Sequence, residues 1–170
     1  MRSKYPCLPD LLALADLLDH VIHDWSGLNA GGGRPAAGGP EALPIEFSFM
    51  LNGRAPHLLV LRCGQALAEE LAEACTGDPG ARELAPWALR ELTFRVAGQL
   101  ALRYPWLFRQ PSDQLMPVPC GPFQWPSACP ARTAALTVAE LPLELRLWVL
   151  DPDQCLQEAD RVSSFEMAWA

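Results

Sequence analysis

A carboxylate flanked by two large aromatic residues is the clearest chemical feature of this sequence. Trp87, Glu91, Phe94 and Gly98 recur at intervals of four, three and four, which places them on one stripe of a helix. A carboxylate accepts hydrogen bonds and pairs with cations, and exposed aromatics beside it are typical of a partner-binding surface. The alternative is that Trp87 and Phe94 are covered by the proline-rich segment after the helix.

A second cluster of polar residues lies near the start of the chain. Asp16, Asp19, His20, His23 and Asp24 fall at spacings that bring several of them onto one side of a helix. These residue types can bind zinc, but a solvated helix surface carries the same residues. We therefore expect a solvated surface and no metal site.

Several kinds of catalytic site are absent from the sequence. There is no G-x-S-x-G nucleophile motif, no P-loop and no G-x-G-x-x-G fingerprint. The glycines between residues 31 and 39 follow no predicted strand, so we expect a flexible surface loop there. None of the six cysteines forms a Cys-x-x-Cys pair. Cys63 and Cys75 are expected to be buried free thiols, which favours the cytoplasm, although a disulfide is not excluded.

The overall composition indicates a single ordinary domain. The chain has 170 residues, a net charge of −7 and 50% hydrophobic residues, enough to fill a core. The negative charge argues against a general nucleic-acid-binding protein, and no apolar run is long enough to suggest a membrane span. Residues 104–130 hold seven of the 17 prolines, and we expect an irregular segment with one short edge strand near 114–118.

The elements that must position these residues follow from the apolar periodicity. Three helices and two hairpins are predicted, with a further helix near the end of the chain. The helices are expected at 10–25, 64–76, 86–103 and 153–162, and the strands at 45–51, 57–63, 133–139 and 143–150.

The order of these elements repeats. A helix, a long loop, a hairpin and a helix occur twice, and the hairpin-to-helix junctions match at an offset of 89 residues, for example Val60 with Val149. We therefore predict an α+β domain spanning 1–170, with a core at about 10–150 and an extra helix or tail at 151–170. It should have one antiparallel sheet, helices mainly on one face and a pseudo-twofold α-β-β-α repeat.

Residues 91–99, ELTFRVAGQ, resemble the Glu-x-x-Asn helix of the CheC, CheX and FliY chemotaxis phosphatases. That family has Asp or Ser four residues before the Glu, and a Pro after a gap of twenty-two residues beyond the Asn. Glu91 matches the Glu and Pro117 matches the Pro. The doubled α-β-β-α order over about residues 10–150 is also similar, so the resemblance implies a CheX-like fold.

The departures from that motif concern catalysis. Trp87 replaces the Asp or Ser, and Phe94 replaces the Asn that orients the attacking water in the family. In the family the Glu pairs with a group in the active site of phosphorylated CheY. Phenylalanine has neither a donor nor an acceptor, and Arg95 can instead pair with Glu91 one turn earlier. We therefore expect little phosphatase activity, with Glu91 as the one retained catalytic residue.

The resemblance implies a cytoplasmic chemotaxis or two-component signalling protein. It would bind a response-regulator receiver or another Che-type protein through Trp87, Glu91, Phe94 and Gly98. An active phosphatase using Gln99 or Gln114 is one alternative. A self-associating structural module, a homodimer pairing the free edge of strand 143–150, is another. No organic cofactor is expected, and magnesium would belong to the receiver.

Overall fold

The structure, a computed structural model, describes residues 9–32, 45–52, 56–105, 116–118 and 131–149. Within them the chain forms three α-helices, a short 3-10 helix over Ala81–Leu84 and six strands. The helices are α1 Leu11–Ser26, α2 Gln65–Thr76 and α3 Ala85–Arg103. The strands are β1 Ala30–Gly32, β2 Ile45–Asn52, β3 Pro56–Cys63, β4 Met116–Val118, β5 Ala131–Val138 and β6 Leu141–Val149.

Local signals in the sequence set the helix ends. The Asp10 carboxylate accepts a 2.8 Å hydrogen bond from the backbone N–H of Ala13, which caps α1. Gly27 and Gly77 follow α1 and α2 with φ of 72° and 69°, a left-handed conformation that costs glycine little. Pro86 lies in the first turn of α3, where its missing N–H removes no helical hydrogen bond.

The six strands form one antiparallel sheet in the order β1-β5-β6-β3-β2-β4. If β1 is exchanged with β4, β2 with β5 and β3 with β6, the same order is obtained, read from the opposite edge of the sheet. The predicted pseudo-twofold repeat is therefore present. Its axis runs between β3 and β6, and β6 is therefore a central strand. The prediction that this strand has a free edge for self-association is wrong, because β3 and β5 pair with both of its edges.

The side-chain alternation of β3 and β6 overturns the residue-level repeat at an offset of 89. Leu59 and Leu61 of β3 and Leu145 and Leu147 of β6 all belong to the core beneath the helices. Successive side chains of a strand point to opposite faces, so equivalent residues must be separated by an even number. An odd offset would match a core residue of one strand with an outward-facing residue of the other. The two halves therefore repeat in topology, but the residues that match at an offset of 89 are not structurally equivalent.

β1 was not predicted. Its residues fall in the glycine-rich segment that we expected to be a loop, yet Ala30, Gly31 and Gly32 pair with Val138, Thr137 and Leu136 of β5. The predicted edge strand near 114–118 is present as β4, which pairs with β2. The predicted helix at 153–162 and most of the proline-rich segment lie outside the described residues.

A continuous core fills the space between the helices and one face of the sheet. Its largest fully buried side chains are leucines and one isoleucine, which come from all three helices and from the central strands. α3 packs against β2 and β3, while α1 packs against β5 and α3. This packing fixes α3 by its buried stripe, which includes Leu89, Leu92 and Val96, and leaves the opposite stripe facing outward. No helix in the described ranges is both long enough and apolar enough to cross a membrane.

Candidate functional site

The predicted stripe of α3 faces outward. Trp87 is 45% exposed and Phe94 is 49% exposed, so about half of each side chain is accessible to solvent. Most of the proline-rich segment that the alternative invokes lies outside the described residues. Glu91 lies between them with 29% of its side chain exposed. At 100° per residue these three and Gly98 fall within about 60° of arc. We call Trp87, Glu91, Phe94 and Gly98 the α3 surface.

Glu91 is held by its own helix. Its Oε1 atom lies 2.9 Å from Nε of Arg95, one turn later, as the spacing predicted. Such a pair on a helix surface contributes about 0.3–0.5 kcal/mol, so its effect on stability is small. Its effect on chemistry is larger, because the carboxylate already has a cationic partner within the chain.

Trp25 completes the site from α1. Its ring centroid lies 6.4 Å from that of Trp87, with the rings inclined at 57°. The Cζ atom of Arg95 lies 5.7 Å from the centroid of the same Trp25 ring, within the range of a cation–π contact. Trp25 therefore contacts both Trp87 of the α3 surface and the arginine that pairs with Glu91. The spacing of residues within α1 does not reveal these contacts, because the pattern of one helix does not show where two helices cross.

The neighbouring polar groups of α3 are poorly placed to orient a water molecule beside Glu91. Thr93 is fully buried, and its hydroxyl donates a 2.7 Å hydrogen bond to the carbonyl of Leu89. Gln99 is half-buried and lies eight residues beyond Glu91, a rise of about 12 Å along the helix. Gln114, the other candidate, lies outside the described residues.

Pro117 is in β4, at the edge of the sheet. It pairs in register with Phe49 of β2, the strand against which α3 packs. A proline suits such a position, because an edge strand has one side without ladder hydrogen bonds. The residue that matches the proline of the family motif is thus one strand away from the strand beneath α3.

The two described cysteines are free thiols. Burial raises the pKa of Cys63 to about 12 and that of Cys75 to about 11, with Arg95 opposing and Glu91 reinforcing the second shift. Both are therefore neutral at pH 7. Cys63 is buried as predicted, but Cys75 is only partly buried, because it lies near the end of α2.

The polar cluster on α1 has the character of a solvated surface. All five of its side chains are exposed: Asp16, Asp19, His20, His23 and Asp24. Nε2 of His20 lies 3.2 Å from Oδ2 of Asp24, with more than half of each side chain exposed. Across the described part of the chain, no three His, Cys, Asp or Glu side chains come together as metal ligands would.

A row of charges crosses the other face of the sheet. Arg62 lies directly opposite Glu46 on β2 and Glu144 on β6, with N–O distances of 3.2 and 3.6 Å. Arg146 pairs with the same Glu144. Burial raises the pKa of Glu46, and Arg62 and Arg146 oppose that shift. Two carboxylates and two guanidinium groups balance, so this row favours one strand register.

Known structures share this fold. The CheX chemotaxis protein of Desulfovibrio desulfuricans matches with a TM-score of 0.59 at 12% identity, over 81% of this chain and 96% of that one. CheX of Vibrio vulnificus matches with a TM-score of 0.57 at 14% identity, over 79% and 92% of the two chains. A complex of CheX and CheY with BeF3 and magnesium from Borrelia burgdorferi gives 0.59 at 12% identity, over 84% and 99%.

Comparisons of sequence add no relatives. No protein-family model matches the chain, and no curated protein matches it. The chain therefore has a CheX-like fold, as the element order and the motif at residues 91–99 predicted. Its sequence identity to these solved structures is low, at 12–14%.

Proposed function

We propose that this chain is a chemotaxis or two-component signalling protein that binds a response-regulator receiver domain through the α3 surface, without strong phosphatase activity. The observation that carries the proposal is the exposure of Trp87 and Phe94 on either side of Glu91. Half-exposed large aromatics on a fixed helix are the side chains that most often dominate a protein interface.

The fold supports this partner class. One structural neighbour is a CheX protein in complex with CheY, BeF3 and magnesium, and the family that residues 91–99 resemble engages CheY through the corresponding helix. The α3 surface keeps the glutamate of that helix at Glu91. It thus combines a retained charged residue with two aromatic residues that a binding surface can use.

The chemistry of the same residues argues against the family's hydrolytic mechanism. Phe94 occupies the position of the water-orienting amide, and a phenyl ring can neither donate nor accept a conventional hydrogen bond. Thr93 is buried and its hydroxyl is used by Leu89. Dephosphorylation of aspartyl phosphate depends mainly on positioning the water, so its loss should remove most of the rate enhancement.

The binding proposal is tested by titrating the purified chain against each CheY-type receiver of its organism, with magnesium and BeF3. We expect binding by the wild-type chain and at least a tenfold loss for the double variant Trp87→Ala/Phe94→Ala, since each ring contributes about 1–2 kcal/mol when buried by a partner. Leu12→Ala is the matched control, because Leu12 is 78% exposed but lies on α1. Unchanged binding by the double variant would remove the α3 surface from the interface.

The second part of the proposal is tested by following the decay of the phosphorylated receiver. We expect the decay rate to be unchanged by a stoichiometric amount of this chain. Acceleration that disappears in Glu91→Gln would instead establish an active phosphatase.

A further inference from the structure

Among the described helices of this acidic protein, α3 alone carries a net positive charge. It carries three arginines and one glutamate, a net charge of +2, whereas the whole chain carries −7. All three arginines, Arg90, Arg95 and Arg103, are exposed, and the first two lie beside the α3 surface. Arg90 and Arg95 flank the α3 surface on opposite sides, each at about 70° from its centre. The aromatic stripe is therefore bordered by positive charge on both sides, which complements an anionic partner.

Arg95 is the better placed of the two. Its Nε atom contacts Oε1 of Glu91 at 2.9 Å, and its Cζ atom lies 5.7 Å from the ring centroid of Trp25. These two contacts hold the guanidinium group in one orientation. The terminal nitrogens carry four more N–H donors, in the planar fork that matches a phosphate or carboxylate.

Arg95 is also the more accessible member of its ion pair. Its side chain is 47% exposed, against 29% for Glu91. The guanidinium group therefore offers a partner more accessible surface than the carboxylate does. Contact through this arginine differs from the direct contact by the glutamate that the family resemblance implies.

We propose that Arg95 contacts the phosphoryl group of the activated receiver, and that Glu91 acts as a positioning residue that holds Arg95. This inference rests on the proposed function, because it takes the receiver as the partner. No bond is made or broken. Arg95 donates hydrogen bonds to the phosphoryl oxygens, or to the fluorines of BeF3, so the chain distinguishes the activated receiver from the inactive one.

The first test measures the affinity of the full-length chain for a receiver with magnesium alone and with magnesium plus BeF3. We expect the wild-type chain to prefer the second state by about tenfold to a hundredfold, the range for a charge-assisted hydrogen bond. Arg95→Gln should remove most of this preference. Arg103→Gln is the matched control, because Arg103 is exposed at the far end of the same helix, and it should keep the preference.

The second test separates the roles of the two charged residues. Glu91→Gln should keep most of the preference for BeF3, because the amide oxygen of glutamine still accepts a hydrogen bond from Nε of Arg95 and holds it in place. A loss as large as that of Arg95→Gln would overturn the inference in favour of direct contact by Glu91, and so would a preference that survives in Arg95→Gln. Wild-type binding that is equal in both states would refute the inference but not the proposed function, whereas no binding in either state would refute both.

Discussion

Replacing Gly98 with alanine is expected to stabilise the protein. Gly98 lies inside α3 and is not one of the described glycines with a positive φ. A Cβ atom built on it meets nothing within 4 Å. Glycine in a helix interior costs about 0.8–1 kcal/mol relative to alanine, and no steric term opposes the gain. For a chain of 170 residues this corresponds to a rise of about 2–4 °C in Tm.

The assay is thermal or urea unfolding followed by circular dichroism, with Gly27→Ala as the matched control. Gly27 has a φ of 72°, where a side chain costs about 1–2 kcal/mol, so the same change of atoms should lower Tm there. A fall in Tm for Gly98→Ala would refute the reasoning, because it would mean that the methyl group meets an atom the geometry does not place there.

The same position tests the α3 surface without loss of folding. Gly98→Gln should fold as well as the alanine variant, because glutamine is a good helix former. Its longer side chain projects from the C-terminal end of the α3 surface and should weaken receiver binding by about tenfold. Binding equal to that of Gly98→Ala would show that the partner does not reach this turn of the helix.

Three further outcomes follow from the described contacts. Because the pKa of Cys63 is raised to about 12 from an ordinary value near 9, the folded state holds this proton more tightly than the unfolded state. The free energy of unfolding should therefore be independent of this group below pH 9 and fall between pH 9 and 12, and Cys63→Ala should flatten that fall in urea titrations. Ala139 and Glu140 form the turn between β5 and β6 with φ of 47° and 66°, so the pair Ala139→Asn/Glu140→Gly should raise the free energy of unfolding by about 1–2 kcal/mol, and a lower Tm would contradict the turn. Asp10→Ala removes the cap of α1 and should cost about 1 kcal/mol in the same unfolding assay, an effect that Asp10→Asn should largely avoid.

The bounds of the three described α-helices lie close to those predicted, because helix ends depend on neighbouring residues in the sequence. The cap at Asp10, the stop at Gly77 and the proline at the start of α3 each act within one turn. The apolar spacing in turn determines which side of each helix is buried. These features do not depend on the rest of the fold, and the structure confirms them.

Pairing between strands that lie far apart in the sequence was harder to predict from local patterns. Gly31 and Gly32 have no side chains to show an alternating pattern, and their strand exists because β5 offers an edge far along the chain. Likewise, the free edge expected for β6 depended on which hairpin strands meet at the centre of the sheet. Hydrophobic alternation shows that a residue lies in a strand, but it does not specify the neighbour of that strand.

The candidate site also combines features that one helix determines by itself with features that depend on packing between helices. Helical spacing predicted the shared stripe of Trp87, Glu91 and Phe94 and the ion pair between Glu91 and Arg95. The contacts of Trp25 with Trp87 and Arg95 depend on how α1 crosses α3. Helix crossing is determined by packing between elements, and no spacing within one segment predicts it.

The exchange of edge strands also has a consequence for folding. β1 precedes the first hairpin but pairs with β5 of the second, and β4 precedes the second hairpin but pairs with β2 of the first. A side-chain hydrogen bond across the first of these pairs joins residues 106 positions apart, Thr137 and Gly31. Neither half can therefore complete its own sheet. Separately expressed halves should remain unfolded until mixed, and the intact chain should fold slowly for its size because its edge strands close very long loops.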